Sequence, residues 1–175
     1  MLSAKLKWFT KFGDEVKLES NIYVYYGEGK GKTTMALGRG FKAVSNGEEV
    51  IMVRFLQPEA KYDEEYFYEK LGEEFKVFSF GTDKDSDGLK SETEVKNGFN
   101  FSKKLIDTDG CDLLIFDGIT DAVERGIIPR EDILELLKGK TYSMDIVVMG
   151  EHLIDGLFEI ADFVYCISTE KYPED

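Results

Sequence analysis

Short apolar runs separated by longer amphipathic stretches recur along the chain. Ile22-Tyr23-Val24-Tyr25-Tyr26 is β-branched and aromatic and predicts a short buried strand. A glycine-rich run follows. Thr33 to Val44 then predicts a helix, with Met35, Leu37, Phe41 and Val44 among its apolar positions and Asn46-Gly47 as its stop. Val50 to Leu56 predicts a second strand, ended by Pro58, and Tyr62 to Leu71 a helix closed by Gly72. Phe75 to Phe80 alternates and predicts a third strand; a polar loop spans Gly81 to Ser91. Glu92 to Ile106 predicts a helix that turns Val95, Phe99 and Leu105 to the core. Leu113 to Asp117 predicts a fourth strand, apolar until its last residue. Arg130 to Leu137 predicts a helix, with Pro129 suited to its first turn, and Ile146 to Met149 a fifth strand. Leu153 to Ile160 predicts a helix and Phe163 to Ile167 a sixth strand.

Strands that alternate with helices and read as continuous apolar runs imply a parallel sheet covered on both faces. The expected fold is therefore α/β, a three-layer arrangement like that of P-loop nucleotide-binding proteins, with a mainly parallel sheet of about six strands. The chain has 175 residues, no internal repeat and no linker, which predicts a single domain over residues 1–175. Within it, residues 1–20 read as an N-terminal extension and 169–175 as a tail.

Composition narrows the function. The net charge is −13, yet residues 1–60 carry nine Lys/Arg against seven Asp/Glu, while the rest carry thirteen against twenty-eight. A polyanion would be repelled by most of the molecule, so no nucleic-acid partner is expected; a small anion held near the glycine-rich run is. No apolar stretch approaches the ~18 residues of a membrane span, and charged residues interrupt the first twenty positions where a signal peptide would be apolar. Cys111 and Cys166 share no motif spacing and each sits in an apolar run, which predicts two buried thiols in a reducing compartment. The expected location is the cytoplasm.

A strand, a Gly/Lys run and a helix in succession form the context of a phosphate-binding loop. The run is Gly27-Glu28-Gly29-Lys30-Gly31-Lys32-Thr33-Thr34. Its glycines let the backbone curl so that successive N–H groups point inward, and the helix N-terminus adds its positive end. Lys32 can place a charge on the terminal phosphates of ATP, and the Thr33 hydroxyl can join the shell of a Mg²⁺ ion. In the pattern G-x-x-x-x-G-K-[ST] the first glycine is here Tyr26. Asp117, at the end of the fourth strand, is the second expected Mg²⁺ residue. Gly118 stands where a water-orienting glutamate would follow it, and His152 is the sole histidine. The sequence thus offers phosphate binding without an evident general base.

These residues resemble the ATP:corrinoid adenosyltransferases, which share a G-x-G-K-G-K-T-T loop without the first glycine. Val53-Arg54-Phe55-Leu56 is similar to the family's V-Q-F-[IL] strand, and Leu71-Gly72-Glu73-Glu74-Phe75 to its G-V-E-F lead-in to the third. Cys111 to Asp117 is similar to Y-D-[LM]-[VL]-[VI]-L-D, Val147-Val148-Met149-Gly150 to V-I-T-G, and Leu157 to Val164 to L-I-E-A-A-D-L-V. The resemblance implies transfer of the 5′-deoxyadenosyl group of ATP to a cobalt(I) corrinoid, with triphosphate as leaving group and the corrinoid itself as nucleophile. The chain departs from the family at Gly118, in place of glutamate, and at Glu151, in place of the arginine of T-G-R-G. Thr82 and Lys84 replace an aromatic pair, and residues 169–175 do not match the family's basic, glycine-containing segment. Two other readings stay open: another P-loop kinase or NTPase, and a nucleotide-binding protein that has lost the reaction. A homodimer is an assembly open to all three.

A second motif lies in the polar loop. Asp83-Lys84-Asp85-Ser86-Asp87-Gly88-Leu89-Lys90-Ser91-Glu92-Thr93-Glu94 fits the spacing of a Ca²⁺ loop. Asp83, Asp85, Asp87, Leu89, Ser91 and Glu94 would supply its oxygens, against the alternative of an acidic loop without metal.

Overall fold

A computed structural model of the chain describes residues 20–56, 68, 70–82 and 88–171. Its elements run β1 (Ile22–Tyr26), α1 (Lys32–Ser45), β2 (Val50–Phe55), β3 (Phe75–Phe80) and α2 (Gly88–Asp107). They continue with β4 (Leu113–Asp117), α3 (Ile119–Glu124), α4 (Arg130–Lys138), β5 (Asp145–Met149), α5 (Leu157–Ile160) and β6 (Phe163–Cys166). The six strands form one sheet in the order β3-β2-β4-β5-β1-β6, and every neighbouring pair is parallel. The expected sheet is therefore present, wholly parallel.

Register sorts the side chains into two layers, because alternate strand residues face opposite sides. Tyr23, Tyr25, Val50, Met52, Leu113, Ile115, Val147 and Met149 share one core with Ala36 and Ala43 of α1. Val24, Val53, Phe55, Leu114, Phe116 and Val148 share the other with residues of α2, α3, α4 and α5. The central strands are buried on both sides, which is why they read as unbroken apolar runs.

Helix α1 meets the sheet through small residues. Ala36, Gly40 and Ala43 form its buried stripe, whereas Met35 and Phe41 are 41 % and 62 % exposed. The close approach depends on Gly40: a Cβ there would sit 2.3 Å from the Phe75 ring. Of the other apolar positions, Leu37 and Val44 are partly buried against the same core.

Other boundaries shift for local reasons. Helix α2 begins at Gly88, inside the expected loop, and buries Val95 and Phe99, with Leu105 partly buried. The expected helix from Leu153 is a single turn from Leu157, because Gly156 before it takes a left-handed φ of 91°. Helix α3 was not expected. The expected helix Tyr62–Leu71 lies largely outside the described residues. Among the described residues no helix is long and apolar enough to cross a membrane.

The two cysteines separate. Cys111 is buried, but Cys166 is exposed on the edge strand β6, correcting the expectation of two buried thiols. A sheet edge lacks the second neighbour that covers a central strand. Here Tyr23 stacks on Phe163 at 5.1 Å between centroids, and the Arg39 guanidinium lies 3.5 Å from the Tyr23 ring centroid.

The segment leaving β6 packs against the loop leaving β1. Gly29 N–H donates to the Ile167 carbonyl at 2.9 Å, and a Cβ on Gly27 (φ 116°) would lie 2.3 Å from that same oxygen. Two measurements check this packing. Burial pushes the Cys111 thiol up to about 12, so a disulfide reagent at neutral pH should titrate one thiol in the native protein and two in denaturant. Gly27→Ala should destabilise by about 2 kcal/mol or more through backbone strain and overlap. Gly38→Ala, exposed within α1 with nothing within 4 Å of its added Cβ, should stabilise by up to about 1 kcal/mol; thermal melts separate the two.

Candidate functional site

All strands point the same way, so β1, β4 and β5 deliver their carboxyl ends to one rim of the sheet. The glycine-rich loop leaves β1 there. Its Gly31 takes φ 110° at the helix N-cap, and no side chain caps the helix. The first helical bond runs from Met35 N–H to the Gly31 carbonyl at 2.9 Å. The amides of Lys32, Thr33 and Thr34 precede it, and such first-turn amides with the helix dipole favour an anion.

The loop is more framework than expected. Gly27 N–H donates to the Glu151 carbonyl and Gly29 N–H to that of Ile167, each at 2.9 Å. These two amides anchor the loop to its neighbours and do not point inward. The Lys32 ammonium donates to the carbonyls of Gly27 and Gly29, so it is drawn back over the loop. Glu28, Lys30 and Thr34 are exposed.

Lys32 and Thr33 meet Asp117 in a cavity of about 270 Å³, lined also by Leu56, Gly118, Asp121, Arg125, Met149, Gly150 and Glu151. Register places Asp117 on the α1 side of the sheet, since Leu113 and Ile115 before it on β4 belong to that core. Leu56 holds a left-handed φ of 54° at the rim, where its N–H donates to the Phe80 carbonyl at 3.2 Å. Gly150 has no room for a side chain: a Cβ would lie 1.5 Å from Thr120 Oγ1.

Asp117 is 8 % exposed and pairs with Arg54, whose Nε lies 3.5 Å from its Oδ2. The two residues are cross-strand partners in the β2–β4 ladder. The Arg54 guanidinium also lies 5.9 Å from the Tyr68 ring centroid. On the other side of the cavity, burial pushes the Asp121 carboxyl above its ordinary range. The Thr120 hydroxyl opposes this, and the charges of Glu151 and Glu124 reinforce it. His152 is at the surface, with Nδ1 2.9 Å from Glu124 Oε1.

Sequence reasoning missed Arg54, Asp121 and Arg125 as neighbours of this site. Arg54 had a readable signal: it is the lone charge in Val50–Phe55, as Asp117 is in Leu113–Asp117, and lone buried charges of opposite sign tend to be paired. Asp121 and Arg125 had none, because α3 is six residues long and opens on Gly118, with no side-chain cap.

The second motif divides. Asp83, Asp85 and Asp87 lie outside the described residues. Leu89, Ser91 and Glu94 stand within α2. The Ser91 hydroxyl donates to the Thr82 carbonyl at 2.9 Å and accepts from Thr82 N–H at 3.2 Å, closing the turn. Among the described residues no group of three or more His, Cys, Asp or Glu is placed to hold a metal.

Comparison with known proteins places the chain among corrinoid adenosyltransferases. The family model described as ATP:corrinoid adenosyltransferase BtuR/CobO/CobP matches residues 19–175. The corrinoid adenosyltransferase of Escherichia coli K12 is 27 % identical over 155 residues, covering 88 % of this chain and 79 % of that protein. Those of Salmonella typhimurium and Pseudomonas aeruginosa are each 25 % identical, covering 88 % and 86 % of this chain and 79 % and 76 % of their own lengths. All three relatives are named corrinoid adenosyltransferases. With a matching model over most of its length and the family's loop at the carboxyl rim of a parallel sheet, the chain belongs to the ATP:corrinoid adenosyltransferase family.

Proposed function

We propose that this protein transfers the 5′-deoxyadenosyl group of ATP to a reduced cobalt(I) corrinoid and releases triphosphate. Beyond family membership, one observation carries the reading: Lys32, Thr33 and Asp117 line a single cavity at the start of α1. The three first-turn amides and the Lys32 ammonium suit a chain of phosphates. For Lys32 to reach it, the side chain must leave the Gly27 and Gly29 carbonyls that it now holds.

The donor set fits Mg²⁺, which is commonly bound through one or two carboxylates together with substrate phosphates. Thr33 and Asp117 would hold the ion, which when bound supplies positive charge to the triphosphate oxygens. In the reaction the cobalt(I) centre donates an electron pair to C5′, the cobalt–carbon bond forms, and the C5′–O bond breaks with its electrons leaving on triphosphate. The nucleophile arrives with the substrate, so no protein base is required. The chain's part is to orient ATP against the corrinoid and to stabilise charge on the departing group.

The acidic side chains Asp121 and Glu151 on the cavity wall favour a second reading, a family member that binds nucleotide without transfer. One assay separates the readings. Incubation with ATP, Mg²⁺ and a reduced corrinoid should yield the light-sensitive cobalt–carbon product and triphosphate. ATP binding without product supports the second reading, and release of ADP points to phosphoryl transfer instead. Lys32→Ala should weaken ATP binding by about 10- to 100-fold, the loss of a charge-assisted contact, with calorimetry as the measurement. Unchanged affinity would overturn the phosphate-loop reading.

A further inference from the structure

The cavity is lined by three acidic residues, Asp117, Asp121 and Glu151, and two cationic ones, Lys32 and Arg125. Glu151 differs from the other acids in how it is held. It follows Gly150 after β5, and its carbonyl accepts the Gly27 N–H at 2.9 Å. The backbone that carries its side chain is therefore tied to the glycine-rich loop itself. The residue is exposed, whereas Asp117 is buried and Asp121 half-buried. Its charge nevertheless reaches into the cavity. Burial is the main upward push on the Asp121 carboxyl, and the charge of Glu151 adds to that push.

A carboxylate fixed beside the loop repels an anion at the first turn of α1 in proportion to that anion's charge. Free ATP and its Mg²⁺ complex differ in this respect, since the complex carries about half the negative charge of the free nucleotide. The same side chain therefore opposes the two ligands unequally. Its effect does not require it to touch the metal, which Thr33 and Asp117 are placed to hold.

We infer that Glu151 is a specificity-determining residue: its carboxylate makes the cavity discriminate against metal-free ATP and admit the nucleotide as its Mg²⁺ complex. The inference rests on the ATP reading above and names the form of the nucleotide that the site takes. It separates Glu151 from a metal ligand, whose removal would weaken binding of the complex. Removing the Glu151 charge should instead strengthen binding, and more so without metal than with it.

The test is calorimetric titration of the full chain with ATP, in EDTA and in saturating Mg²⁺, at low ionic strength. Wild type should bind at least about tenfold more tightly in Mg²⁺. Glu151→Gln should tighten binding about fivefold in EDTA and about twofold in Mg²⁺, since repulsion scales with ligand charge. Glu151→Lys doubles the change in charge and should give gains of about 25-fold and about fivefold. Glu151 is exposed, and its main-chain bond to Gly27 does not involve the side chain, so both variants should fold. Adenosine, which has no phosphates, should bind all three chains alike. Glu135→Gln, on a separate cavity between α2 and α4, removes the same net charge and should leave both affinities unchanged. Equal shifts in the two buffers, no shift in EDTA, or weaker binding in Mg²⁺ would each overturn the inference. So would a matching shift for adenosine or in Glu135→Gln. A wild-type chain that takes up no ATP in either buffer would instead overturn the nucleotide reading, and this inference with it.

Discussion

Six strands run in one direction, so every loop that leaves a carboxyl end lies along the same rim. In a parallel sheet each strand needs a crossover to return the chain, and those crossovers cover both faces. The rim is where backbone emerges from a fully buried sheet, and open α/β sheets place their ligands there. The order β4-β5-β1 leaves only β5 between the carboxyl end of β4 and that of β1. Asp117 and the start of α1 therefore meet in space, although eighty-odd residues separate them in the chain. The remainder of the site follows from that juxtaposition.

The rim is held as well as placed. Amides of Gly27 and Gly29 tie the loop to residues Glu151 and Ile167 after β5 and β6. Gly27 and Gly150 stand at contacts too close for a Cβ. A loop anchored in this way fixes where the first turn of α1 begins. The Lys32 ammonium rests on two carbonyls of the same loop.

Electrostatically the cavity is mixed, with acids on the α3 and β5 side and cations from α1 and the end of α3. A transfer in which the incoming substrate carries its own nucleophile places few demands on the protein's acid–base chemistry. It places heavy demands on charge, because the leaving group is a polyanion. The Arg54–Asp117 pair offsets one buried charge, and burial, reinforced by the charges of Glu151 and Glu124, pushes the Asp121 carboxyl upward.

Much of the fold was legible in local pattern. The buried strands β1, β2 and β4 announced themselves as apolar runs because the sheet is covered on both faces, and the Gly/Lys run named its own loop because few other arrangements turn a strand into a helix through so many glycines. What the linear order could not carry was distance between remote residues. The pairing of Arg54 with Asp117, the arrival of Asp121 and Arg125 at the cavity, and the exposure of Cys166 at an unpaired edge all depend on strand order and register. So does the face that α1 buries, which is chosen by how closely a helix of small residues can approach Phe75 and not by where its largest apolar residues fall. Sequence by itself determined most of the elements and the glycine-rich loop between β1 and α1, since hydrogen-bonding and steric rules act over a few residues. The tertiary structure alone decided which charges share one cavity, since Coulomb interactions follow distance in space and that distance is set by the order of the strands.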